Sequence, residues 1–150
     1  MTVQLQVDLD LRSSATIRGC AIDGNRDVGL AVVSSDVVVE HTVVRDTLPN
    51  LVSDAFGDGV IAMSESAGPA SVTLQQSVVS GSARAGLASF GASMQLQQSE
   101  LRCNTIQLTA QDYQAASYQF EDQAGNQCGC GEVFADCKLI AADLEPPTPL

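Results

Sequence analysis

The only histidine of the chain lies in a short charged segment. Glu40 and His41 are adjacent and Arg45 follows closely, while Asp54 and Asp58 come next in a predicted loop. Two carboxylates a few ångströms apart can cleave a glycosidic bond, and carboxylate oxygens can hold calcium. These five are the candidate catalytic residues. No clustered pair of aspartates within one strand accompanies them, so a charged outer face beside a surface loop is the favoured interpretation.

A second group of oxygen-bearing side chains lies at Asp23, Asn25 and Asp27. The segment has the look of a calcium loop, but it lacks the later glutamate and the remaining ligand positions of an EF-hand. It also falls where a repeated unit changes direction. The sequence therefore predicts a turn here, and no metal site.

Four segments that follow one template must position these residues. Segments 16–25, 38–47, 73–82 and 95–104 each carry an aliphatic residue, a small residue three positions on and another aliphatic residue two positions later. The first aliphatic position holds Ile17, Val39, Leu74 and Leu96, the small one Cys20, Thr42, Ser77 and Ser99, and the second aliphatic one Ile22, Val44, Val79 and Leu101. The distance between equivalent residues is 22 in the first and last pairs. Such a period indicates a solenoid whose units share one core.

The second half of the unit repeats as well. Gly29, Gly59 and Gly86 each begin a short apolar run. The runs are brief, rich in Val and Ile, and separated by Gly, Asn, Asp and Ser, which is typical of strands and turns rather than helices. Extra residues in the second unit divide between insertions at about 48–57 and 64–70, which a solenoid tolerates because they leave through a turn.

This pattern resembles the right-handed parallel β-helix of the pectin-lyase-like proteins over roughly residues 15–108. The resemblance implies an all-β chain with a right-handed parallel β-helix solenoid of about four coils in residues 1–108. A cysteine-containing C-terminal cap would follow in 109–143, and a Pro-rich tail in 144–150. The fold hosts lyases, hydrolases, adhesins and spacers, so it implies little about activity.

Stacked coils would align equivalent residues in columns, with the aliphatic positions pointing inward. A polar turn position able to bond backbone groups within and between coils is filled by Asn25, Thr47, Ser82 and Asn104. On the outer surface, Arg18 would lie opposite Glu40. Asp23 would lie opposite Arg45 in the same way. Cys20 occupies the small inward position, where a buried free thiol is expected.

The other four cysteines fall in the last third of the chain: Cys103, Cys128, Cys130 and Cys137. In an extracellular protein, an even set indicates two disulfides that join the cap to the final coil. The connectivity is not deducible, although Cys128 and Cys130 are poorly placed to pair with each other. A zinc site and free thiols are the alternatives.

The segment after residue 108 changes character. We expect the cap to lay Tyr118, Phe120, Val133 and Phe134 over the last coil. The prolines that follow cannot donate hydrogen bonds to a strand ladder, so the tail should end the fold and be disordered.

The composition limits the partners. A net charge of −11 argues against nucleic acid and against anionic membranes. No apolar run is long enough for a membrane span. The chain opens on strand-like residues without a signal peptide, so we expect upstream β-helix coils of a longer protein, which is secreted or on the cell surface.

Two functional classes follow. The favoured one is a non-catalytic extracellular scaffold or binding module for polysaccharide or another surface, with no cofactor. The alternative is a polysaccharide lyase or glycoside hydrolase, with calcium if it is a lyase. Convergence of Glu40, Arg45, Asp54 and Asp58 in a groove would favour the enzyme.

Overall fold

Short strands separated by turns make up the part of the chain that the computed structural model describes, residues 1–4 and 12–147. The strands are β1 (Thr2–Gln4), β2 (Ser14–Arg18), β3 (Ala21–Asp23), β4 (Val28–Val33), β5 (Asp36–Glu40), β6 (Val43–Arg45), β7 (Asp58–Met63), β8 (Ser71–Gln75), β9 (Val78–Ser80), β10 (Ala85–Phe90), β11 (Ser93–Gln97), β12 (Glu100–Arg102), β13 (Ile106–Gln111), β14 (Gln119–Asp122), β15 (Gln127–Cys130) and β16 (Val133–Ala135). Parts of the expected coil region and tail, residues 5–11 and 148–150, lie outside the described residues.

Three sheets form the sides of a solenoid. Sheet 1 has the order β1-β4-β7-β10-β13, sheet 2 β2-β5-β8-β11-β14 and sheet 3 β3-β6-β9-β12-β15-β16. Neighbouring strands are parallel throughout, except that β16 is antiparallel to β15. The all-β solenoid is thereby confirmed. It has about five turns, one more than the repeats indicate, because β14 and β15 continue sheets 2 and 3 beyond the last segment that fits the template.

The predicted inward columns are confirmed. In sheet 2, Ile17 pairs with Val39, Val39 with Leu74, and Leu74 with Leu96. The equivalent column of sheet 3 holds Ile22, Val44, Val79 and Leu101, and that of sheet 1 holds Leu30, Val60, Leu87 and Leu108. All belong to, or pack against, one apolar core. Burial of these stacked side chains is the main favourable contribution to the fold.

A ladder of small polar side chains runs beside the core, at the two-residue turn between sheets 2 and 3. The backbone N–H of Thr42 donates to Ser77 Oγ at 3.1 Å, and that of Ser77 to Ser99 Oγ at 3.2 Å. The N–H of Ser99 donates to Asn126 Oδ1 at 2.9 Å. Each coil therefore satisfies a buried donor of the coil before it, which an aliphatic side chain at this position could not do.

The second polar turn, between sheets 3 and 1, has the same design. Ser82 N–H donates to Asn104 Oδ1 at 2.9 Å, and Asn104 Nδ2 donates to Val79 O at 3.0 Å. Thr47, Ser82 and Asn104 are buried. The side chain of Asn104 thus bonds backbone groups of the coil before it, as the sequence predicts for this position, whereas the buried hydroxyls of Thr47 and Ser82 make no hydrogen bond.

Cys20 is exposed, so the expectation of a buried thiol is wrong. Cys20 holds the same turn position as buried Thr42 and Ser77, and its N–H donates to Thr42 Oγ1 at 3.3 Å. Those two residues have coils on both sides, whereas β2 and β3 pair on one side only among the described residues. The repeated sequence pattern predicts the direction in which the Cys20 side chain points, but it does not predict whether a neighbouring coil covers that side chain.

The four cysteines of the last third form two disulfides, as predicted: Cys103 bonds to Cys130, and Cys128 to Cys137. The first joins the last repeated segment to the cap expected in 109–143, whereas the second lies within that cap. Cys128 and Cys130 belong to different bridges. Cys128 continues the inward column of sheet 3 above Leu101. Cys137 is 8% exposed and lies in the main core. The second bridge is therefore part of the core.

Of the four side chains expected over the last coil, Phe120 packs against the core and Phe134 lies beside Arg102 of β12. Val133 is 77% exposed and Tyr118 is also exposed. β16, which carries Val133, turns back and pairs antiparallel with β15. Cys137 and Leu139 contact the core, together with Phe120.

The described part of the Pro-rich tail, residues 144–147, lies against sheet 1. Leu144 packs against a second apolar cluster on the outward side of that sheet. The carbonyl oxygen of Glu145 accepts a hydrogen bond from Arg84 Nη1 at 2.8 Å. Prolines exclude this segment from a strand ladder but not from packing on a sheet face.

We expect Leu74→Ala to lower the free energy of unfolding by about 2–5 kcal/mol, because a cavity would be left in a thin core. Chemical denaturation measures the change. The matched control is Thr73→Ala on the outward side of β8, which should cost under about 0.5 kcal/mol. Equal losses in the two variants would contradict the inward column.

The cysteine assignment predicts a mass and a labelling pattern. The oxidised chain should weigh about 4 Da less than the reduced chain, one hydrogen for each bridged thiol. Because Cys20 is the exposed free thiol, iodoacetamide should label one cysteine in the native oxidised protein and five after reduction and unfolding. Native labelling at none or at several cysteines would overturn the assignment.

Candidate functional site

Glu40 is the last residue of β5, on the outward side of sheet 2. Its Oε2 lies 3.4 Å from Arg18 Nε, one coil away. This is the cross-strand pair that the 22-residue period predicts. The carboxylate is therefore engaged with a cation of the neighbouring coil.

His41 is exposed and has a φ of 48°. Its N–H donates to Gln75 O at 3.1 Å, and the equivalent N–H of Gln76 donates to Gln97 O at 3.0 Å. In the other coils this positive-φ position holds Gly19, Gln76 or Gln98. Because glutamine adopts the same positive φ and makes the same backbone hydrogen bond in other coils, the turn does not require the imidazole of His41.

Arg45 ends β6 on the outward side of sheet 3. Its Nε donates to Asp23 Oδ2 at 2.9 Å. This hydrogen bond, followed by the charge of Asp23 and a smaller effect of Asp46, raises the pKa of Arg45 above its ordinary value. In a lyase of this fold Arg45 would be the catalytic base, and a base needs a pKa near the working pH. The contacts of Arg45 with Asp23 therefore oppose that role.

Asp54 lies in the loop between β6 and β7, the first of the two insertions, and is exposed. The loop folds around Asn50, whose Oδ1 accepts hydrogen bonds from the N–H groups of Val52 and Ser53 at 2.8 and 3.2 Å. Asp54 N–H donates to Asn50 O at 3.0 Å. Asp54 thus helps to close a turn, with its side chain toward solvent.

Asp58 is the first residue of β7 and is wholly buried. Its Oδ1 accepts from Arg84 Nε at 2.9 Å and from the N–H of Ala85 at 3.1 Å. Oδ2 forms an ion pair with Arg84 Nη2, and the guanidinium carbon of Arg84 lies 4.9 Å from the centre of the Phe56 ring. The carboxylate is satisfied on both oxygens and shielded from water.

Arg84 is the residue that the sequence analysis missed. It lies outside the repeated template, just before the glycine-led strand β10. The sequence signal is its position just before β10, which corresponds to the position just before β7 one coil earlier. β10 pairs with β7 in sheet 1. That register brings the arginine beside Asp58.

The structure distributes the candidate residues over three sides of the solenoid. Glu40 is on sheet 2, Arg45 on sheet 3 and Asp58 at the start of a strand of sheet 1. Each is paired with a residue of a neighbouring coil. Their geometry is that of separate ion pairs.

The face between the two insertions is apolar. The insertions flank β7, and the outward side chains of this strand are Ile61 and Met63, each 1% exposed. A groove for a sugar polymer beside the insertions would have to pass over these two residues. This surface is occupied by packing within the chain.

Two other parts of the chain carry polar side chains that could form a site. The 23–27 segment is a turn, in which Gly24 has a φ of 64° and its N–H donates to Arg45 O at 3.1 Å. Within residues 1–4 and 12–147, no group of three or more His, Cys, Asp or Glu side chains could hold a metal ion. A shallow pocket near the C-terminal end is lined by Asn126, Phe134 and Asp136, with Asp136 as its ionisable side chain.

Stacked parallel strands in three sheets, with aligned inward columns and polar turn ladders, define the class of parallel β-helix proteins. Residues 6–106 match the family described as "Right handed beta helix region", and the chain belongs to this family. Comparison with curated proteins and with solved structures finds no match. The described residues contain no helix that is long and apolar enough to cross a membrane.

The ion pairs should differ sharply in their effect on stability. Arg84→Ala should lower the free energy of unfolding by about 3–5 kcal/mol, because the buried Asp58 carboxylate would lose its cation. Arg45→Ala is the matched control and should change it little, because both partners of that pair are exposed.

Urea denaturation measures both variants. Replacing the buried pair together, as Asp58→Leu with Arg84→Met, should recover much of the loss, since no lone charge would remain. Equal destabilisation by Arg84→Ala and Arg45→Ala would refute the assignment of the buried pair.

Proposed function

We propose that this chain is a non-catalytic β-helix scaffold that presents a binding face for polysaccharide or another polar surface. The observation that carries the proposal is the pairing of Glu40, Arg45 and Asp58, each with its own partner on a different sheet. Catalysis of glycoside cleavage needs two carboxylates aimed at one bond. Charged side chains that pair with an opposite charge on the neighbouring coil contribute instead to the register and stability of the solenoid.

The outward side of sheet 2 is the face best suited to binding. Sheet 1 is covered by apolar packing, and sheet 3 carries the ion pairs Asp23–Arg45 and Glu100–Arg102. Sheet 2 carries Arg12–Asp36 and Arg18–Glu40 at its β2–β5 end. Sheet 2 alternates buried aliphatic residues with half-exposed polar ones. Its central outward residues are Ser71, Thr73, Gln75, Ser93, Gln95 and Gln97.

These side chains form an ordered array of donors and acceptors. Gln95 Nε2 donates to Glu121 Oε2 at 3.0 Å, and Thr73 Oγ1 lies 3.5 Å from Gln95 Oε1. Amides and hydroxyls can both donate and accept, and the rungs repeat every ~4.8 Å. A polymer rich in hydroxyl groups matches this chemistry. The net charge of −11 favours a neutral polymer over a uronic acid polymer.

The proposed location is outside the cell, secreted or on the cell surface. The two disulfides indicate an oxidising environment. We also propose upstream coils of a longer protein as a partner. The described strands β2 and β3 pair on one side only, and a parallel strand added to such an edge is a common mode of association.

The catalytic alternative, a polysaccharide lyase or glycoside hydrolase, is tested by a turnover screen. Neutral and uronic acid polymers are incubated with the protein, with and without calcium, and reducing ends and unsaturated products are measured. We expect no turnover, and Glu40→Gln, His41→Ala and Arg45→Ala should keep the wild-type circular dichroism. Cleavage that disappears in one of these variants would establish the enzyme instead.

Binding is tested by affinity electrophoresis in gels containing neutral polysaccharides. The double variant Gln75→Ala with Gln97→Ala should weaken retardation by on the order of 10-fold or more, since two adjacent rungs would lose hydrogen-bonding groups. Gln127→Ala on sheet 3 is the matched control and should bind as wild type does. Equal binding by all three proteins would exclude sheet 2 as the binding face.

A further inference from the structure

The residues that follow the last bridged cysteine, 138–147, form a strap over the solenoid. The strap begins as a short continuation of sheet 1: Ile140 pairs with Thr109 in parallel, and its N–H donates to Leu108 O at 3.1 Å. It then leaves the edge of the sheet and passes to the outward side of neighbouring strands, where Leu144 packs.

Arg84 holds the far end of the strap. Its Nη1 donates to Glu145 O at 2.8 Å, while Nε and Nη2 are engaged by Asp58. The Phe56 ring lies 4.9 Å from the guanidinium carbon. One arginine thus connects β7, the first insertion and the strap, with the guanidinium fixed by the buried carboxylate rather than by the strap itself.

The strap covers an apolar surface. Ile61, Met63, Ala88 and Phe90 lie on the outward side of β7 and β10, and all are buried. Of the partly buried side chains that pack against them, Tyr113 and Leu144 come from outside sheet 1. Contiguous apolar area of this kind is seldom left open to water in a soluble protein. The segments that cover it therefore keep apolar side chains away from solvent.

Few contacts hold the strap directly. Half of its side chains are exposed: Lys138, Ile140, Ala141, Asp143 and Glu145. Leu139 and Leu144 are the apolar side chains of the strap that pack on the rest of the chain. Ordering such a segment costs backbone entropy that a few contacts do not offset. Cys137 supplies the anchor, because it is buried in the main core and bonded to Cys128 of β15.

We propose that the Cys128–Cys137 disulfide is a clasp, whose reduction releases the strap and uncovers the part of the outward apolar face of sheet 1 on which Leu144 packs. A dithiol reductant supplies two electrons and two protons, the S–S bond breaks, both cysteines become thiols and the reductant becomes a disulfide. The bridge between Cys103 and Cys130 ends before the strap begins, so its reduction leaves the strap anchored.

The test compares two double variants in a Cys20→Ser background, which removes the exposed thiol. Cys128→Ser with Cys137→Ser removes the clasp, and Cys103→Ser with Cys130→Ser is the matched control. We expect the first to speed hydrogen exchange of the Ile140 amide by on the order of 100-fold and to raise the fluorescence of an apolar dye several-fold. The control should show neither change, and both should keep the far-ultraviolet circular dichroism of a β-solenoid.

Unchanged exchange and dye binding in the first variant, or equal changes in both, would overturn the proposal. If the first variant fails to fold, the readouts are taken on the Cys103→Ser with Cys130→Ser variant before and after dithiothreitol, since Cys128–Cys137 is then the bridge that the reductant opens. With both bridges intact, Leu144→Asp should raise dye binding while Asp143→Asn does not. Equal dye binding by these two variants would show that the strap is not the cover.

Discussion

The register between successive coils is the constraint on which the rest of the structure depends. A slip of one residue would turn every inward aliphatic side chain of a strand toward solvent. The two-residue turn between sheets 2 and 3 prevents this, because the side-chain oxygen of one coil accepts the N–H of the coil before it, as with Ser77 and Thr42. The turn fixes where each strand of sheet 3 starts, and the aliphatic columns then close over one another.

Because the inward positions fix the fold, the three outward faces are free to differ. Sheet 1 is buried under its own loops and the strap, and sheet 3 carries paired charges. Sheet 2 carries paired charges at its β2–β5 end and presents amides and hydroxyls on β8 and β11. Membership of the right-handed β-helix family follows from the inward pattern. Activity or binding depends on the outward side chains. Two members of the family can therefore share the inward pattern and differ in function.

The sequence was sufficient to predict the contacts that recur from coil to coil. The inward columns and the pair of Arg45 with Asp23 follow from a fixed period, since the period alone places one residue above another. Contacts made once could not be found in this way. The bond between Arg84 and Asp58, the packing of Leu144 and the exposure of Cys20 depend on loops, on a chain end or on the absence of a neighbouring described strand. The candidate site failed to converge for the same reason: its residues were grouped by proximity in sequence, and the period carries them to different sheets.

The reversal of β16 has a consequence for self-assembly. A stack of parallel strands can in principle grow end to end, with the last coil of one molecule serving as a template for the first coil of the next, as in fibrils. In sheet 3 the outermost strand, Val133–Ala135, runs antiparallel to its neighbour and is short. A second molecule arriving in the orientation of the solenoid would meet a strand of opposite direction. The C-terminal end of this side thus presents a strand whose direction differs from that of the parallel strands below it, so an incoming coil could not continue the parallel ladder there.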